Sequence, residues 1–356
     1  DFQRENGYPI SRVEPYSVVQ GWLKEQAEPW IPGHESGEDS PLKLVETVIS
    51  LTPRSEQEEQ ISSLPEPERH NFHITNAGLG AGGPKARFHM NMEAILLLKR
   101  IEAEGRLATP EEQETLSRYV GWGSVQEAFE ADNPAWKNEH RQLLDALTPE
   151  EFDAARATTL NAFYTSPTVI QAMYEALENM GFRKGNILEP SCGVGNFMGM
   201  LPESMRDARM YGVEIDSITG RIAQQLYQRN TIAVQGFEDT SFPDNFFDVV
   251  IGNVPFGAYK VIDRQYDRHN FLIHDYFIAR SVDLVRPGGV VAVITSSGTM
   301  DKQSDGLRRY VAARADLLGA IRLPRDAFQR NSGTSVVTDV LFFQKRESAA
   351  IEQPEW

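Results

Sequence analysis

The 356-residue sequence contains one cysteine, Cys192, so no internal disulfide can staple it, and a lone thiol fits a reducing, cytoplasmic setting. No apolar run approaches the roughly 20 residues that a membrane helix needs, and no signal peptide opens the chain. Positive charge is scarce as well. With 35 Lys and Arg against 51 Asp and Glu, the net charge is −16, which taken whole argues against a nucleic-acid partner. Its distribution weakens that exclusion. Residues 1–70 hold 6 basic against 14 acidic side chains, 71–160 hold 9 against 14, and 161–356 hold 20 against 23. The acidity belongs to the front, and the back is nearly neutral with three local basic groups: Lys260, Arg264 and Arg268; Lys302, Arg308 and Arg309; Arg322, Arg325 and Arg330. Each group reads equally well as solvated surface or as a phosphate contact. His269 and His274 lack the Cys or carboxylate arrangement of a metal site, and no metal is expected.

A hydrophobic content of 40% with 24% charged residues describes a globular chain, long enough for one α/β domain of about 200 residues and more besides. We expect four regions. Residues 1–85 are acidic and rich in Pro, Glu and Ser, and read as loosely ordered. Their Gly-rich end, Asn76–Pro84, is not followed by Gly-Lys-Ser/Thr and reads as a linker. Residues 86–160 read as a helical subdomain: apolar positions 94, 95, 97, 98 and 101 have helical spacing. Thr109-Pro-Glu-Glu112 and Thr148-Pro-Glu-Glu151 are capped helix starts. Trp122 and Trp136 read as packing residues. Residues 161–346 alternate strands, at 186–190, 210–215, 231–235, 247–252, 289–296, 317–323 and 336–344, with helices at 167–180, 194–201, 217–229, 271–286 and 304–315. The pattern implies a mostly parallel sheet covered on both faces, with an antiparallel last strand. Residues 347–356 form a tail. The chain opens on Asp1, and we expect a piece of a longer protein.

Two strand ends carry the chemistry, since ligands of such sheets bind at the carboxyl ends of strands. After Ile187-Leu188, Gly193-Val-Gly195 lets the backbone approach a ligand as a helix begins. Position 198 is Met, so GxGxxG is absent, and Glu189 suits an amine or hydroxyl better than a diphosphate. Glu214 ends the next strand, where a carboxylate can accept hydrogen bonds from both ribose hydroxyls, with Ile215 placed against an adenine face. Asn253-Val-Pro-Phe256 closes the fourth strand.

Together these stretches resemble the S-adenosylmethionine-dependent methyltransferases, and within them the amino-methylating class with the motif (Asn/Asp)-Pro-Pro-(Tyr/Phe). Over 161–346 the motif order is that of the gamma-type N6-adenine DNA methyltransferases. The resemblance implies a Rossmann-like seven-stranded sheet with helices on both faces, and S-adenosylmethionine as cofactor. It implies that Tyr164 and Thr165, in Phe163-Tyr-Thr-Ser-Pro167, surround the methionyl part together with Glu189, Ser191, Cys192, Gly193 and Gly195. Glu214 would hold the ribose, and Ile215, Phe237 and Phe277 the adenine. Gly236-Phe-Glu-Asp239 departs from the family's Asp-Phe pair, with Glu238 or Asp239 left to stand in. Phe328, in Phe328-Gln-Arg-Asn-Ser-Gly-Thr334, is implied to pack on a flipped base, with Arg330 beside it.

A ring-conjugated amino group is a poor nucleophile, because its lone pair is delocalised. Acceptors on its hydrogens, from the Asn253 side chain and the Val254 carbonyl, favour a pyramidal nitrogen and disperse developing charge. Pro255 stiffens the turn and Phe256 offers a stacking face. Val stands for the usual Pro and Phe for the commoner Tyr; the acceptor at 254 is main-chain and survives the change. The front half, with Arg87–Ile95, Tyr119-Val-Gly-Trp-Gly123 and Leu147–Leu160, resembles the segment ahead of the methylase core in methylase–helicase proteins of mobile elements. That likeness implies DNA as partner and a helicase-like or target-recognition region elsewhere in the parent chain. The expected activity is adenine-N6 methylation of DNA. Two alternatives stay open: a protein glutamine methyltransferase, whose amide nitrogen has the same electronic deficit, and a DNA-binding module with weak catalysis.

Overall fold

The computed structural model describes residues 68–75, 82–123, 125–159, 165–324 and 337–348. Residues 1–67 of the expected loose segment 1–85, most of its Gly-rich end, Tyr164, Phe328, Arg330 and most of the tail lie outside these residues. Residues 68–75 are an extended strip pinned to later elements: Phe72 N–H donates to Leu226 O (2.8 Å) and Ile74 N–H to Gly199 O (2.8 Å).

Five helical pieces follow. Helix α1 spans Pro84–Ala103. It starts ahead of the apolar repeat that begins at Ala94, because Pro84 suits the first helical position and Phe88 is already buried. Helices α2 (Pro110–Leu116) and α4 (Pro149–Thr158) open as predicted, with Thr109 and Glu112, and Thr148 and Glu151, each forming a reciprocal capping box. Between them lie a 3-10 turn at Gln126–Phe129 and helix α3 (Lys137–Ala146). Trp122 is fully buried, and Lys85 lies 4.0 Å over the Trp136 ring.

The α/β region then runs α5 (Pro167–Asn179), β1 (Asn186–Glu189), α6 (Asn196–Gly199), β2 (Arg209–Glu214), α7 (Ser217–Leu226), β3 (Thr231–Val234) and β4 (Phe247–Asn253). It continues with α8 (Ile273–Leu284), β5 (Val285–Ser296), α9 (Gly298–Asp301), α10 (Gly306–Ala312), β6 (Ala315–Arg322) and β7 (Thr338–Lys345). The strand order is β3-β2-β1-β4-β5-β7-β6, parallel from β3 to β5, with β7 antiparallel to both neighbours. This is the expected Rossmann-like seven-stranded sheet. One detail differs. The helix expected to 286 ends at Leu284 and the strand expected from 289 begins at Val285, so that Arg286-Pro-Gly-Gly289 lies within β5 as an irregularity between the Phe247 and Val249 pairings. Arg286 pairs there with Asp248 (2.6 Å), and a Cβ on Gly289 would press on Asp248 O at 2.7 Å.

Period-two alternation sends neighbouring strand residues to opposite faces. Ile187, Val249, Ile251, Ala292, Ile294 and Phe342 join a core with α5, α7 and the front helices. Leu188, Val250, Val291, Val293, Leu341 and Phe343 join a second core with α8 and α10. The front helices thus share one apolar cluster with a sheet face. A polar strap reinforces the junction. Glu151, which completes the α4 capping box, takes Lys99 of α1 and Arg221 of α7 (2.8 Å). Among the described residues no helix is long and apolar enough to cross a membrane.

Burial pushes the Glu151 carboxyl up, but Lys99, the Thr148 N–H and Arg221 outweigh it and leave the group below its ordinary value. Its contribution is therefore full above the ordinary glutamate range, near pH ~4.3, and fades as pH falls through the lowered folded value. Glu151→Ala should lower unfolding stability at neutral pH by about 2 kcal/mol, through loss of a cap and of an ion-pair partner. Chemical denaturation should show that deficit shrinking in acid.

Candidate active site

The loop after β1 is built for close backbone approach. Gly193 has φ +56° and Gly195 φ +81°, left-handed values that suit glycine. A Cβ on Gly195 would enter the Tyr227 ring, whereas one on Gly193 would meet nothing within 4 Å. The loop therefore packs tightly beneath Gly195 and opens on space at Gly193. Cys192 N–H donates to Val213 O (2.9 Å), fastening the loop to β2. The Cys192 thiol is buried and burial pushes its pKa up, which keeps it a neutral packing group.

Two carboxylates meet at these strand ends. Glu189 is 2% exposed, its Oε2 has no hydrogen-bond partner among the described residues, and burial followed by the Glu214 charge raises its pKa well above the carboxylate range. Glu214 accepts from Gly193 N–H (2.8 Å) and, through its other oxygen, from Asp216 N–H (2.8 Å). Burial raises its pKa to about 7; the Asp216 charge adds to the rise, and the two N–H donors oppose it. A buried acid with an unsatisfied oxygen, beside open space at Gly193, fits a cationic or hydroxyl-bearing ligand. These residues fit the amine and ribose of S-adenosylmethionine.

The adenine side is mixed. Ile215 is 71% exposed beside Glu214, as an unfilled apolar contact would be. Phe237 and Phe277 are buried against each other, centroids 4.9 Å apart, and Arg280 lies 4.8 Å over the Phe237 ring. Of the two candidate acids, Glu238 folds its carboxylate back over Gly236, while Asp239 is exposed. Thr165 is buried directly before the α5 cap, Ser166.

The Asn253–Phe256 turn is tied to the glycine loop. Ser191 Oγ donates to the Asn253 carbonyl at 2.7 Å. Val254 is buried, and its N–H donates to Ile294 O of β5 at 3.0 Å. A proline at 254 could not make that bond, so the departure from the family pattern brings an extra anchor for the turn. Gly252 precedes it at φ +154°, where a Cβ would stand 3.3 Å from Glu189 Cγ. Pro255 and Phe256 are half-buried.

Sequence reading missed Arg280 and Asp263. Arg280, on α8, donates to Asp263 Oδ2 (2.7 Å), Thr240 O (2.6 Å) and the Tyr276 hydroxyl (2.8 Å). It thereby joins the loop after Phe256 to the turn after β3. The partners are 17 and 40 residues away, and no local pattern announces such contacts. His274 is helical and buried, and burial lowers its pKa.

Residues 208–326 match the family model of the Eco57I restriction-modification methylase. The chain is 33% identical over 231 residues to the defense against restriction protein B of Escherichia phage P1, covering 62% of this chain and 10% of that protein. It is 35% identical over 94 residues to the type II methyltransferase M.CvrRI of Paramecium bursaria Chlorella virus XZ-6E, covering 26% of this chain and 24% of that protein. It is also similar to an rRNA N(6)-adenosine-methyltransferase of Caenorhabditis elegans, at 24% identity over 203 residues, 53% of this chain and 90% of that protein. The chain thus spans a tenth and a quarter of the first two relatives. The sheet order is that of the class I S-adenosylmethionine-dependent methyltransferase fold, and residues 208–326 within it match a methylase of the restriction-modification type.

Proposed function

We propose that the domain methylates the exocyclic N6 amino group of adenine in DNA, on a base extruded from the duplex. One observation carries this reading: the Ser191–Asn253 bond, which sets the Asn-Val-Pro-Phe turn directly against the glycine loop. Similarity to a type II methyltransferase supports a DNA acceptor, and similarity to an rRNA N(6)-adenosine-methyltransferase supports an adenine amine. In its parent protein the domain would work beside a helicase-like or target-recognition region, as the front-half resemblance suggests.

When bound, S-adenosylmethionine supplies an electrophilic methyl group. Glu189 would take the methionyl ammonium, with Tyr164, Thr165, Ser191, Cys192 and Gly193 around it and Gly195 shaping the loop. Glu214 would take the ribose hydroxyls, and Ile215, Phe237, Glu238 and Phe277 the adenine. The Asn253 side-chain oxygen and the Val254 carbonyl accept from the target N6 hydrogens and disperse the charge that develops on nitrogen. Pro255 holds the turn, Phe256 stacks on the base, and Phe328 and Arg330 would contact it, as the resemblance implies. Holding amine and methyl carbon in line supplies much of the acceleration.

Full-length protein with tritiated S-adenosylmethionine and duplex oligonucleotides, followed by nucleoside digestion, should yield N6-methyladenine. Label on cytosine, on RNA alone or on glutamine in a peptide would sink the adenine-DNA reading. Asn253→Ala should reduce transfer by about a hundredfold or more while cofactor binding persists.

Glu189 and Glu214 are both shifted up, so both are protonated over more of the pH range than ordinary carboxylates. A ligand that needs them ionised binds more tightly as pH rises and releases protons on binding. Calorimetry should show S-adenosylmethionine affinity increasing from pH 6 to pH 8, through the value of about 7 at Glu214. Glu214→Gln should weaken binding and flatten the profile; an unchanged profile would remove Glu214 from the ribose.

A further inference from the structure

We infer that Ile262 is an apolar wedge that enters the DNA duplex and fills the gap left by the extruded base. The inference rests on the proposed base-extruding reading and adds the residue and surface that would do the work.

Of the three basic groups in the sequence, the structure absorbs Lys302, Arg308 and Arg309 internally, and likewise Arg322, the one member of the third group among the described residues. Lys302 pairs with Asp275, Arg309 with Asp305 (2.6 Å), and Arg322 with Asp339 and Asp301 (2.8 Å each). Arg308 donates to the carbonyls of Thr299, Met300 and Lys302. Lys260, Arg264 and Arg268 differ. All three are exposed, and among the described residues none pairs with a carboxylate. Lys260 donates to the Asn270 amide oxygen and Arg268 to His269 Nε2 (3.2 Å), contacts that leave both charges standing. The loop between β4 and α8 therefore carries available positive charge of the kind that phosphates bind.

Between Lys260 and Arg264 stands Ile262, 85% exposed. A single exposed isoleucine is ordinary on a protein surface, and would mean little on a mobile tip. This tip is held. The next residue, Asp263, accepts from buried Arg280 (2.7 Å) and from the Tyr276 hydroxyl (2.9 Å). Asp263 N–H donates to Asp267 Oδ1 (2.9 Å), and Gln265 N–H to Asp263 Oδ1 (3.0 Å). Tyr266 is buried, with its hydroxyl on Asp283 (2.7 Å), and Ile273 N–H donates to Tyr259 O (2.9 Å). An ion pair and two tyrosines thus anchor the loop one residue from an apolar side chain turned to solvent.

The loop leaves the Asn253–Phe256 turn and returns to the start of α8, so both its ends lie at the carboxyl end of the strands, where the acceptor turn is. An extruded base leaves its partner unstacked, and apolar side chains inserted at such steps offset that loss. A rigidly presented isoleucine between two cations, on the loop that leaves the acceptor turn, has the chemistry of that role. The wedge is a positioning residue, since it would act on the duplex and leave the reacting atoms untouched.

The test compares methyl transfer by full-length wild type, Ile262→Ala and Ile262→Leu on two duplexes. One has the target adenine paired, and the other has it opposite a mismatched base, which is easier to extrude. On the paired duplex Ile262→Ala should lose about tenfold in kcat/KM, the scale expected when part of an unstacking cost goes uncompensated. On the mismatched duplex it should recover to within about twofold of wild type. Ile262→Leu should stay near wild type on both, and cofactor affinity should be equal in all three. Ile262→Ala with wild-type kinetics on the paired duplex, or with the same loss on both duplexes, overturns the wedge and leaves the DNA methylation reading standing. Wild-type protein that methylates neither duplex overturns that reading and the wedge with it.

Discussion

The site depends on one topological constraint, the reversal of strand order between β1 and β4. The chain winds outward from β1 through β2 to β3, then crosses back to lay β4 against the other side of β1. Parallel neighbours stand about 4.8 Å apart, so the loops leaving β1 and β4 have to emerge side by side. The Ser191 hydroxyl closes what remains of the separation by bonding to the Asn253 carbonyl. The cofactor loop and the acceptor turn are therefore one hydrogen-bonded unit, each with its own second anchor, Cys192 on β2 and Val254 on β5.

The same crowding sets the electrostatics. Parallel strands aim their last side chains at a common edge, and here two of those side chains are acids. Among the described residues the Glu189 Oε2 has no partner to offset its burial, and the Glu214 charge makes its ionisation costlier still. A fold that served stability alone would gain by replacing Glu189 with an apolar residue. On the proposed reading, the penalty is recovered when a cation arrives, which ties recognition of the methionyl end to relief of a buried acid.

Much of this was legible in the sequence, for identifiable reasons. The strands were visible because a sheet buried on both faces demands near-continuous apolar runs, and all seven lie where those runs lie. Thr109-Pro-Glu-Glu112 and Thr148-Pro-Glu-Glu151 were visible because a capping box is a contact between residues three apart. The start of α1 was not, since Pro84 and Phe88 fall outside the clear apolar repeat that begins at Ala94. The bulge at Arg286–Gly289 was hidden because its cause, Asp248, sits on another strand. Arg280 was hidden for the same reason: a hub is defined by partners from other elements, and a linear pattern records only its own neighbourhood.

The strap at Glu151 has a mechanical meaning. Arg221 belongs to α7, whose cap is Asp216, and Asp216 donates its N–H to Glu214. One helix therefore connects the front helices to the second of the buried acids. A load applied to the front of the molecule, by whatever pulls or leans on it, would travel along that helix as along a push-rod. It would arrive at the carboxylate which, on the proposed reading, grips the nucleoside.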